Sequence, residues 1–157
     1  VCKEACDKHN PEFYSTYKSQ CDNYFWNAHR NEARGVGGLF YDYCKVTENM
    51  AIEDWYDFET TVGNSFLQAY VPIVEKRKDM PYTKEQRDWQ EIRRGRYVEF
   101  NLVHDKGTLF GLKTDGRIES ILMSLPPHVQ WVYDHHPAKG SEEARLIKVL
   151  AHPKEWV

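Results

Sequence analysis

At 157 residues the chain is long enough to bury about two-thirds of its unfolded surface around one core, with no need of metal or disulfide staples. A formal charge of −3, from 24 acidic and 21 basic residues, excludes an overall field that would draw in nucleic acid or an anionic membrane, and no apolar run is long enough to span a bilayer. Five Trp, ten Tyr and seven Phe are many for this length and suit the wall of a pocket for a large ligand.

The opening VCKEACDKHN carries neither an initiator Met nor the apolar segment of a signal peptide, and is expected to begin partway through a longer protein. Cys2, Cys6, Cys21 and Cys44 contain no CxxC pair, so reduced thiols are expected ahead of a zinc site. Residues 11–29 space Phe13, Tyr17, Cys21, Tyr24 and Phe25 at three- and four-residue steps and predict a helix, with Asn10 and Pro11 as N-cap and first residue. The glycines of RGVGG, Arg34 to Gly38, end it, and LFYDYC at 39–44 predicts a strand. Because the order is helix, glycines, strand, RGVGG is not a dinucleotide loop. Between 50 and 78 the positions Ile52, Trp55, Phe58, Val62, Phe66, Ala69 and Ile73 are helical in spacing; Gly63 and Pro72 weaken or kink the run, leaving one segment or two. Thr83 and Gln86 form a capping box for a helix to about Arg94, with Gly95 as its stop.

RYVEFNLVH then alternates, with Val98, Phe100 and Leu102 on one side, and HDKG and TDGR have the composition of hairpin turns. Strands over 96–104, 108–113 and 117–124 are predicted to pair antiparallel, HVQWVYD is a candidate for one more, and Ser141 opens a final helix through SEEARLIKVLAH. Helices followed by strands indicate an α+β fold, a single domain over 1–157 with helices against a mostly antiparallel sheet.

Charges of both signs stand at the two turns. Asp105 ends one strand and Arg117 opens the facing one, so an acceptor for N–H groups and a receptor for carboxylates would lie across adjacent corners; the plainer account is solvated turns. Arg30 and Arg34, four apart in HRNEAR, could turn two guanidinium forks one way, or simply form a solvated helix end. The seven histidines show no metal-ligand spacing; His29 is the best of them as a minority metal candidate.

The stretches YFWNAHRNEARGVGGLFYDY, RRGRYVEFNLVHDKGTLFGLKTDGRIESILMSLPP and HPKEWV closely resemble the C-terminal part of the oxygen-dependent coproporphyrinogen III oxidase family, along nearly the whole chain. The resemblance implies a large antiparallel sheet flanked by helices, a homodimer, and an enzyme of haem biosynthesis. That enzyme converts two propionates of coproporphyrinogen III into vinyl groups, giving protoporphyrinogen IX with O₂ as co-substrate and no organic cofactor. It implies Asp105 as the catalytic base holding pyrrole N–H groups, and Arg30, Arg34, Asp115, Gly116 and Arg117 as substrate-binding residues. His29 matches a histidine that serves as a metal ligand in some bacterial relatives, although no metal is expected here. His104, Lys106 and FYDYC depart from the family's commoner residues. The expected location is intracellular, the cytoplasm ahead of the mitochondrion. The alternative function is a tetrapyrrole-binding module without turnover, its upstream catalytic segment being absent; stacking of single-stranded nucleic acid is a weaker third.

Overall fold

Thr83 caps its helix as the sequence predicts: its Oγ1 accepts from the Gln86 N–H (3.3 Å) while Gln86 Oε1 accepts from the Thr83 N–H (2.9 Å). In the computed structural model, which describes residues 1–157, that helix does not stop at Gly95 but runs on to Val103. The chain is built from α1 (Cys2–Asp7), α2 (Phe13–Tyr24), β1 (Trp26–Asn27), β2 (Glu32–Ala33), α3 (Ile52–Arg77), α4 (Lys84–Val103), α5 (Lys106–Lys113), α6 (Ile118–Leu122) and α7 (Glu142–Ala151). It groups into two compact units, one of Val1–Tyr24, Gly37–Pro81 and Glu155–Val157, the other of Phe25–Val36 and Tyr82–Lys154.

The large, mostly antiparallel sheet is not there. The only sheet is the two-stranded β1–β2 pair, with Trp26 opposite Ala33 and Asn27 opposite Glu32. The predicted strands over 96–104, 108–113 and 117–124 are the end of α4, α5 and α6. The alternation misled because α4 is buried on two sides: Val98 and Phe100 are both buried, as a strand face would be, yet Leu102 and Val103 are exposed. HDKG and TDGR are helix-to-helix junctions, 39–44 forms no strand, and HVQWVYD forms none either.

In the first unit, Cys6, Tyr17 and Phe58 are the buried centre, with Phe13, Leu39, Tyr41 and Trp55 packed around them. Phe13 and Trp55 stack with ring centroids 5.6 Å apart. Burial pushes the Cys6 thiol up to about 11, and no disulfide joins the four cysteines. Gly63 and Pro72 both lie inside the unbroken α3.

In the second unit, α4 packs against β1 and α5, α5 against α6, and α7 against β2. Ser141 caps α7 through its Oγ, which accepts from the Ala144 N–H at 3.1 Å. Gly95 is mid-helix where the Gln130 backbone and the Trp131 indole lie on it: a Cβ there would come within 2.9 Å of the Gln130 carbonyl oxygen. Gly95→Ala is therefore expected to destabilise by about 1–2 kcal/mol, overpacking exceeding the helix-propensity gain of about 1 kcal/mol. Denaturant midpoints check this, and an unchanged or raised midpoint contradicts it.

Candidate functional site

The β1–β2 hairpin brings a four-residue turn, residues 28–31, to the side of α4. Asn31 adopts φ +52°, and the fully buried Asn27 donates its Nδ2–H to the Arg96 carbonyl at 3.2 Å. His29 and Arg30 ride on this turn, and both reach Glu99 near the C-terminal end of α4.

One Glu99 carboxylate collects donors from three stretches of chain. Arg30 holds it as a fork, Nε to Oε2 at 2.9 Å and Nη2 to Oε1 at 2.7 Å. His29 Nε2 lies 2.8 Å from Oε2, Arg96 Nη1 donates to Oε1 at 3.1 Å, and the indole N–H of Trp131 donates to Oε1 at 3.0 Å. Burial opposes ionisation of Glu99, but the bonds from Arg30 and His29 and the charges of Arg96 and Arg30 outweigh it and hold the carboxyl at about 2. The same bond to Glu99 raises the Arg30 pKa, whereas burial lowers that of Arg96. One turn earlier on α4, Arg93 pairs with Glu32 of β2 at 2.8 Å.

Arg34 follows β2 and takes a different environment. Its guanidinium sits 4.2 Å from the Phe25 ring centroid and 5.0 Å from those of Tyr97 and Phe100, a cation enclosed by aromatic faces. Arg30 and Arg34 are thus both ordered by α4, one through a carboxylate and one through rings.

His104 caps the C-terminus of α4, and its Nε2 lies 2.9 Å from His29 Nδ1. Asp105 comes next and caps α5: Oδ2 accepts from the Thr108 N–H and from Thr108 Oγ1, both at 2.7 Å. Asp115 (φ +54°), Gly116 and Arg117 follow the other end of α5, with Arg117 as N-cap of α6. Gly116 must lack a side chain, since a Cβ would meet the Gly111 carbonyl oxygen at 2.8 Å. α5 is eight residues and so about 12 Å long, with Asp105 at its N-cap and Arg117 beyond its other end, at the N-cap of α6. The expectation that the two lie at adjacent sheet corners is thereby corrected.

Arg30 lines a cavity of about 480 Å³ with Trp131, Val132, Tyr133 and Asp134. A second cavity, of about 440 Å³, lies among Glu85, Asp88 and Trp89 of α4 and Ser141 and Glu143 near the start of α7, and none of the expected site residues lines it. No group of three or more His, Cys, Asp or Glu side chains is arranged to hold a metal ion; the His29 imidazole is engaged by His104 and Glu99.

Glu99, Arg96 and Trp131 are the members of this site that sequence reasoning missed. Read with a helical period, Arg96 and Glu99 stand three apart on one face of RRGRYVEFNLVH; read as a strand, they point to opposite sides.

The family model for coproporphyrinogen III oxidase matches residues 1–156. The chain belongs to that family. It is 54% identical over its whole length to coproporphyrinogen-III oxidase 1, chloroplastic, of Arabidopsis thaliana. It is likewise 54% identical to the oxygen-dependent coproporphyrinogen-III oxidase, chloroplastic, of Glycine max, and 52% identical to that of Hordeum vulgare. The chain spans about 40% of the length of these coproporphyrinogen oxidase relatives. Each of these relatives is named as chloroplastic, which overturns the expectation of a cytoplasmic or mitochondrial protein.

Proposed function

We propose that the chain is the C-terminal part of an oxygen-dependent coproporphyrinogen III oxidase of the plastid, with residues 1–157 belonging to one domain of a longer, homodimeric enzyme. Its substrates are coproporphyrinogen III and O₂. At each of two propionates, CH₂CH₂COOH and O₂ become CH=CH₂, CO₂ and H₂O₂, two electrons passing from the substrate to oxygen. What supports the reading is the family match along the chain, taken with an arginine fork beside an aromatic-lined cavity. A macrocycle carrying four propionates needs guanidinium groups at its edge, an anion near its N–H centre and aromatic contact area.

In this reading Arg30, Arg34 and Arg117 receive carboxylates, and Asp115 and Gly116 shape the turn that presents Arg117. Asp105 accepts pyrrole N–H groups and takes a proton from one. Loss of that proton makes the ring electron-rich enough to react with O₂, so the protein supplies position and electrostatics. No organic cofactor and no metal take part.

The full-length enzyme containing this chain is expected to turn coproporphyrinogen III into protoporphyrinogen IX in air without added metal, read by porphyrin fluorescence after oxidation of the product. Turnover without O₂, or strict loss of activity with a chelator, contradicts the proposal. Porphyrin binding with no turnover favours a binding module instead.

A further inference from the structure

We propose that Glu99 is a positioning residue for a substrate carboxylate: it fixes Arg30 so that the free end of the guanidinium serves the cavity beside Trp131. The inference rests on the oxidase reading only for the identity of the ligand.

A guanidinium offers two edges to carboxylates, the side edge of Nε with one terminal nitrogen and the end edge of the two terminal nitrogens. Glu99 occupies the side edge, through Nε at 2.9 Å and Nη2 at 2.7 Å. Nη1 and the second hydrogen of Nη2 belong to the end edge and take no part in these bonds. Arg30 is also about two-fifths exposed while Glu99 is 12% exposed, so the pair has a largely enclosed holder and an accessible held group. The same carboxylate fastens the Trp131 indole, another wall of the 480 Å³ cavity, at 3.0 Å. Asp134, the acidic side chain on that lining, is itself paired with His136 at 2.9 Å. One largely enclosed anion thereby sets both the cation that binds a carboxylate and the aromatic face beside it. A charge alone would neutralise Arg30; a charge placed on the side edge leaves the end edge usable.

The test is a double-mutant cycle in the full-length enzyme, with Glu99→Gln, Arg30→Gln and both together. KM for coproporphyrinogen III and Kd for coproporphyrin III, its non-reacting tetracarboxylate analogue, are measured alongside kcat. Glu99→Gln is expected to raise KM and Kd about tenfold or more, with kcat held within about threefold, the loss of one charge-assisted contact. On the Arg30→Gln background the same change is expected to do almost nothing, because the glutamine oxygen still accepts from the Trp131 indole. An equal effect on both backgrounds, or tighter binding in Glu99→Gln because Arg30 has been released, overturns the proposal. If Glu99→Gln does not fold, Arg30→Lys keeps the charge without a fork; affinity retained in that variant also overturns it. A wild-type enzyme that binds coproporphyrin III without turnover defeats the oxidase reading alone, because the coupling is still read in Kd.

Discussion

Replacing Asp105 by asparagine is expected to lower turnover of the full-length enzyme by at least about a hundredfold while leaving its melting temperature close to wild type. A general base is worth roughly 10²–10⁴ in rate, and asparagine has almost no basicity. Asparagine is nevertheless as good an N-cap as aspartate, so the bonds to Thr108 that start α5 survive. Asp105→Ala does not separate the two roles, because it also removes the cap at a cost of about 1 kcal/mol. Rate measurements on the Asn and Ala variants beside their melting curves therefore divide proton transfer from helix initiation. Undiminished turnover in Asp105→Asn would remove the carboxylate from the chemistry and leave it a capping residue.

The second large effect concerns acid. The Glu99 carboxyl is held at about 2, against 4.5 for an ordinary glutamate, so its folded-state pKa is depressed. A depressed carboxylate contributes stability that is fully present above the unfolded value and is lost as pH falls through the folded one. The window is thus pH 4.5 down to about 2. Across it the folded protein loses about 3 kcal/mol, because a tenfold change in proton affinity is worth about 1.4 kcal/mol. Wild type and Glu99→Gln should differ most in denaturant midpoint above pH 4.5, and the gap should close steadily below it. A gap that stays constant down to pH 2 would mean that the carboxylate is not stabilised by its partners in the folded enzyme.

Elements set by neighbouring residues were legible in the sequence. Thr83 with Gln86 and Ser141 with Ala144 are contacts three residues long, and both helices start where those letters place them. The sheet was misread for an equally local reason: in a helix buried on two sides, apolar residues at 98 and 100 imitate strand alternation, and Gly95 imitates a helix stop when its true reason is the Gln130 carbonyl, 35 positions away. Strand β1 lies where a helix to residue 29 was predicted, and the hairpin's two paired residues per strand leave no period to detect. In the site, Arg30 and Asp105 stood out by chemistry, whereas Glu99 looked like one charge on a strand face. Arg96 is only three positions away, but Arg30, His29 and Trp131 are 69, 70 and 32 residues distant, so nothing short of the folded chain assembles the cluster.

The 130–131 stretch is tied to α4 at several successive points. Gln130 bonds Glu91 through its backbone N–H at 3.1 Å and its side chain at 2.9 Å, its carbonyl oxygen lies against Gly95, and the next residue's indole is held by Glu99. The Trp131 indole beside Arg30 is consequently held in place before any ligand arrives. Its rotamer freedom is lost when the chain folds, not on binding, so more of the contact energy with a ligand in the proposed site is left to appear as affinity.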